Sequence, residues 1–185
     1  MGTTAKTAFS TTDIVYIGVF AVLITICSWI SIPATVPFTL QTFGVFAAAE
    51  ILGGKRAALA VLVYLLLGAV GLPVFAGFAG GLGILLGTTG GYLVGFIFTA
   101  LVIWVAESIF GKKPVVRIIA MVIGLAVCYA FGTAWFMVVY ARANGAISLM
   151  TALGWCVTPF IIPDLIKIAL AFLIGSRVKK VLPQL

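Results

Sequence analysis

The sequence predicts an all-α membrane protein: a bundle of six transmembrane helices, with N- and C-termini cytoplasmic, forming a single integral-membrane domain over residues 1–185. Three observations carry that prediction. Of the 185 residues, 64% are apolar and 8% charged, with a mean hydropathy of +1.33, a composition that belongs in lipid. Apolar runs of near-membrane length recur along the whole chain. Lys and Arg gather at alternate ends of those runs, as they do in cytoplasmic loops. The net charge of +7 does not indicate nucleic acid, because the basic residues form no continuous face.

The opening residues MGTTAKTAFSTTD lack a charged, then apolar, then cleavable pattern, so no removed signal peptide is expected and the first span stays. A span needs about 20 apolar residues to cross about 30 Å of hydrocarbon. Runs at 14–32, 57–70, 91–110, 116–140 and 159–175 meet or approach that length. The stretch 43–52 is shorter, and is read as the core of another helix, extended by VPFTLQ before it. Keeping it places Lys6, Lys55, Arg56, Lys112, Lys113, Arg117, Arg177, Lys179 and Lys180 on one side, and leaves only Arg142 in the opposite loops. Omitting it would scatter them over both faces. Cys27, Cys128 and Cys156 are odd in number and lie apart in apolar runs, which suits packing rather than disulfides or metal.

Asp164 and Lys167 interrupt the last run. Three residues apart on a helix, they share a face. Each costs about 2.5–3.5 kcal/mol at a helix centre in a bilayer, so their presence calls for a function or for a mutually neutralised structural pair. They lie thirteen and ten residues before Arg177, about 20 and 15 Å above the cytoplasmic edge, which puts them between the midplane and the outer leaflet. Pro159 and Pro163 suit the opening turns of this helix or a kink in it. A binding cavity open to the outside accommodates both features.

Three further segments fall on the same side. The glycine-rich stretch 77–95, GFAGGLGILLGTTGGYLVG, suits close helix contact at Gly83 and Gly87 or at Gly91 and Gly95, and equally a loop offering amide N–H groups to an anion. It has no Walker lysine and is not a nucleotide loop. Tyr92 follows as a ring and hydroxyl for a ligand or as an interfacial aromatic. The stretch 36–42, VPFTLQT, reads as a lid in which Thr39, Gln41 and Thr42 stand beside Phe38, or as a helix start capped by Thr39. Gly132, Thr133, Trp135 and Phe136 form a polar and aromatic cluster, with Trp135 walling a pocket or facing lipid.

VPFTLQT, the GGLG…GTTGGYLVGF segment and a final span with Asp and Lys three apart, in that order over nearly the whole chain, resemble the BioY family, the biotin-binding subunit of energy-coupling factor (ECF) transporters. Two departures stand out: Thr88 occupies a usual Pro, and Ile162-Pro163 replaces the usual Pro-Gly. The resemblance implies a six-helix S component that takes biotin from outside, without a cofactor of its own. It would dock on a transmembrane coupling subunit driven by two ATP-hydrolysing subunits. The same resemblance implies a docking face of small residues on the first helix, for which the nearest equivalents are Gly18, Ala21 and Thr25.

Biotin's chemistry suits these residues. Its ureido group carries two N–H donors and one carbonyl acceptor, so Asp164 and Lys167 are assigned to that end. Phe38, Trp135 and Tyr92 are candidates for the ring and tail, with Thr39 and Gln41 in the lid. The glycine-rich loop, Gly80 and Gly81 included, would meet the tail carboxylate, unless Lys167 takes it in a reversed pose. Two other classes fit less well. An intramembrane enzyme lacks any His; a self-contained ion-coupled carrier is compatible with the acid and base, but no inverted repeat is apparent.

Overall fold

The computed structural model describes residues 10–181, so that Lys6 lies outside the described residues. Helix α1 (Thr11–Trp29) opens on a capping box, in which the Ser10 hydroxyl accepts the Asp13 N–H and the Asp13 carboxylate accepts the Ser10 N–H. A short antiparallel ribbon follows, β1 (Ser31–Ile32) with β2 (Phe38–Thr39). Helices α2 (Gln41–Leu52) and α3 (Gly54–Ala69) lead into a loop containing a 3-10 turn at Ala76–Phe78 and the short α4 (Leu82–Leu86). Then come α5 (Gly90–Phe110), α6 (Pro114–Asn144), α7 (Leu149–Cys156) and α8 (Ile161–Val181).

The six predicted runs correspond to α1, α2, α3, α5, α6 and α8. By length and composition α1, α5 and α6 suffice to cross a membrane, and α7 with α8, bent by 43°, form a fourth candidate span. The expected extension of the second run is not helical, apart from Gln41. Pro37 lacks an N–H and biases Val36 toward extended backbone, and Phe38 and Thr39 pair with Ile32 and Ser31 instead. Leu40 rather than Thr39 holds the N-cap position, without a side-chain bond of its own, while the Thr39 hydroxyl accepts the N–H of Gln41, the first residue of α2, at 3.1 Å. The last helix begins at Ile161, with Pro163 in its first turn, where a missing N–H needs no partner.

The distribution of side chains is that of a protein solvated by lipid. On α8 the buried stripe is Asp164, Lys167, Ile168, Ala171 and Gly175, while Leu165, Ile166, Leu170 and Leu173 are exposed. Helix α2 is buried nearly all round and packs against α1, α3, α5 and α8, which explains how so short a helix persists. Along the contact of α5 with α6, a Cβ on Gly95 would lie 2.8 Å from the Cys128 sulfur and one on Gly132 would lie 2.2 Å from the Tyr92 ring. Close helix approach therefore uses Gly91 and Gly95, the former beneath Trp135, whereas a Cβ on Gly83 would meet nothing within 4 Å.

All four acidic residues are engaged. Asp13 pairs with Arg56 at 2.7 Å, Glu107 accepts the Gly54 N–H at 2.8 Å, and Asp164 pairs with Lys167 at 2.8 Å. Glu50, fully buried on α2, pairs with Arg117 of α6 and lies 3.3 Å from the Ser176 hydroxyl and 3.8 Å from the Lys179 ammonium, both on α8.

The stripe Gly18, Ala21, Thr25 does not form one open face of α1. Ala21 and Thr25 are buried in the bundle, where the Thr25 hydroxyl donates to the Ala21 carbonyl at 3.0 Å; only Gly18 has open space above it. The outward face of α1 is instead Val15, Val19, Val22 and Ile26. Small residues here let α1 approach its own core, where a Cβ on Gly44 of α2 would come within 3.2 Å of the Ile24 backbone.

Candidate functional site

Near the start of α8, the first loop, the glycine-rich loop and helices α2, α5 and α6 enclose a cavity of about 210 Å³. Its wall is mostly apolar, with Phe75, Leu93, Phe96 and Phe160 among the lining residues, and four of its polar side chains, Thr42, Tyr129, Asp164 and Lys167, meet in one hydrogen-bonded cluster. That balance is characteristic of small-molecule sites.

Asp164 is 2% exposed and Lys167 is 5% exposed. Asp164 lies in the first turn of α8, where the positive end of the helix dipole favours a carboxylate. Its Oδ1 accepts from the Lys167 ammonium at 2.8 Å and from the Thr42 hydroxyl at 2.9 Å, and its Oδ2 accepts from the Tyr129 hydroxyl at 2.5 Å. Lys167 also donates to the Thr39 carbonyl at 2.6 Å and sits 4.5 Å from the Phe38 ring centroid, a cation–π distance. Phe38 in turn stacks on Phe160 at 5.7 Å. The pair thus ties α8 to α2, α6 and the first loop.

Of the residues singled out in the sequence, Thr39, Gln41, Tyr92, Asp164 and Lys167 line the cavity. Phe38 lies immediately behind Lys167. Tyr92 is held by a 2.8 Å bond to the Thr133 hydroxyl, and Gln41 donates to the Tyr64 hydroxyl. Gly80, Gly81 and Trp135 stand outside the wall and brace it. The Gly81 N–H donates to the Gly68 carbonyl at 2.7 Å, at a φ of 96° that favours glycine, and a Cβ on Gly80 would lie 2.3 Å from the Leu72 carbonyl oxygen. The Trp135 indole donates to the Gly87 carbonyl at 2.9 Å, fixing the end of the glycine-rich loop. The residues of that loop on the wall are Ala76, Ala79, Ile84 and Thr89.

The sequence reading missed Tyr129 and Phe160. Tyr129 had one available signal, a hydroxyl in the middle of a long apolar run, where it needs a partner. Cys128 and Cys156, read as packing residues, are buried and free but stand on the cavity wall. Among the described residues no cluster of His, Cys, Asp and Glu is arranged to hold a metal.

Comparison with known proteins identifies the family. The BioY family model matches residues 3–184. The chain belongs to the BioY family. It is 46% identical over 166 residues to the biotin transporter BioY of Thermotoga maritima, covering 88% of this chain and 93% of that protein. It is 36% identical over 182 residues to the biotin transporter BioY of Rhodobacter capsulatus, covering 93% and 95%. The crystal structure of the S-component for biotin from an ECF-type ABC transporter superimposes with a TM-score of 0.80 at 27% identity, covering 94% of this chain and 95% of that one. These BioY proteins are named as transporters rather than enzymes, and the apolar helices of this member accord with a place in the membrane.

Proposed function

We propose that this chain binds biotin with high affinity and delivers it across the cell membrane as the substrate-specific subunit of an ECF-type ABC transporter. The observation that carries the reading is the unused bonding capacity of the buried pair. A carboxylate offers about four acceptor positions and an ammonium three donors. Among the described residues Asp164 receives three donors and Lys167 uses two of its own. What remains is one acceptor beside one donor, the complement of the adjacent N–H and C=O of a cyclic urea. An analogue lacking either group would leave one bonding position of a buried charged group unfilled. The names of the relatives supply the same ligand independently.

In this reading all six long helices cross the bilayer as one substrate-binding domain, with α2 shielded from lipid by its neighbours. Both termini are cytoplasmic, because Lys55, Arg56, Lys112, Lys113, Arg177, Lys179 and Lys180 then share that side. The cavity faces outward. The chain carries no nucleotide motif, so transport requires a transmembrane coupling subunit and two ATP-hydrolysing subunits. Purified protein in detergent is expected to bind biotin, followed by isothermal titration, without ATP or added ions; binding that depends on added sodium or on proton uptake would favour a self-contained carrier instead.

Tyr129 acts here as a positioning residue for Asp164. Tyr129→Phe removes one hydroxyl donor to a buried carboxylate, a bond worth about 1.5 kcal/mol at the lower end, so biotin affinity should fall about tenfold in the same titration. An unchanged affinity would show that Lys167 and Thr42 orient Asp164 without it.

A further inference from the structure

The cavity wall holds one carboxylate and one ammonium, Asp164 and Lys167, and they neutralise each other. No other Lys or Arg among the described residues lines it, and the chain has no His. Arg142, the remaining basic residue assigned to the outer side, lies near the end of α6 and is not part of the wall. On the loop side, across residues 75–89, the wall consists of Phe75, Ala76, Ala79, Ile84 and Thr89, of which only Thr89 has a polar side chain. A ligand seated with its ureido ring on the pair therefore finds no counter-charge for a carboxylate tail.

That inventory bears on specificity. Where a buried cation is dedicated to a ligand carboxylate, removing the ligand's charge costs about two powers of ten or more. Here the positive feature on the loop side is the N-terminus of α5, where its N-cap Thr89 and its residue Tyr92 reach the wall. A helix dipole favours an anion by a factor of about two to five. The Thr89 hydroxyl, which makes no capping bond, can serve an amide or ester oxygen as well as a carboxylate.

We propose that the site recognises the ring and is nearly indifferent to tail charge, so that neutral tail derivatives of biotin, its primary amide and methyl ester, form a second substrate class. This inference rests on the biotin reading above and specifies which end of the molecule the charged pair reads.

The test is isothermal titration of the purified full chain with biotin, biotin amide and biotin methyl ester, on wild type and Lys167→Gln. Wild-type protein should bind both neutral derivatives within about tenfold of biotin, and Lys167→Gln should weaken biotin and the amide by the same factor. Biotin binding with either derivative more than about tenfold weaker would overturn the inference alone. So would a Lys167→Gln protein that binds biotin more weakly but the amide as well as before, since that pattern places the ammonium on the tail carboxylate. Absence of biotin binding by the wild type would instead remove the biotin reading, and this inference with it.

Discussion

Asp164→Asn should weaken biotin binding about a hundredfold, the largest effect expected from a single substitution in the cavity. Asp164 is the group on which Lys167, Thr42 and Tyr129 all converge. Losing its charge removes the acceptor for a ureido N–H, and hydrogen bonds to charged groups contribute about 1.5–3 kcal/mol. It also leaves the buried Lys167 ammonium with the Thr39 carbonyl as its principal oxygen partner. Stranding one member of a buried pair costs about 3–5 kcal/mol, so the variant should unfold at a lower temperature as well. A second variant separates the two effects. Asp164→Asn with Lys167→Met removes the stranded charge, and should recover much of the stability while binding stays lost. Wild-type affinity in a folded Asp164→Asn protein would reduce the pair to a structural salt bridge.

At the opposite end of α2, Glu50→Leu should destabilise the protein by about 3–5 kcal/mol, measured by thermal unfolding in detergent. Glu50 holds α2 to α6 through Arg117 and to α8 through Ser176 and Lys179. Without it, among the described residues, the buried Arg117 guanidinium keeps a 3.5 Å contact to the backbone carbonyl of residue 50 and the Phe172 ring at 5.9 Å. Arg117→Met should cost less, because Glu50 retains Ser176 and Lys179. Combining the two should be less damaging than the sum of the single changes. Equal losses in both single variants would mean that Lys179 does not support Glu50. The site itself lies at the other end of the bundle, so biotin affinity of surviving folded protein should change little.

Different parts of the protein were legible to different degrees. The helices were legible because lipid solvation imposes a composition, and each long run in the sequence has its helix in the structure. Their ends were less so. Residues 36–40 read as a helix extension, yet Pro37 and the pairing of Phe38 and Thr39 with the preceding segment make them a ribbon, and it is this ribbon that brings the Thr39 carbonyl to Lys167. The small residues of α1 read as a surface for another subunit, and turned out to be spent mostly on the protein's own core.

For the site, the sequence by itself determined that Asp164 and Lys167 share one face of a helix in an apolar run, because helical spacing and the cost of charge in lipid are local properties. The positions of Lys and Arg add only an expectation of which segments share a side of the membrane. Only the tertiary structure decided what surrounds the pair. Thr42 lies 122 residues from Asp164 in sequence, the Thr39 carbonyl 128 from Lys167, and Tyr129 35 from Asp164. No local pattern encodes those contacts, because they exist only once α2, α6 and α8 pack together. The same packing placed Gly80, Gly81 and Trp135 behind the wall as braces and left the loop side of the cavity without a cation, since which groups face a cavity is set by helix rotation and loop path rather than by residue type.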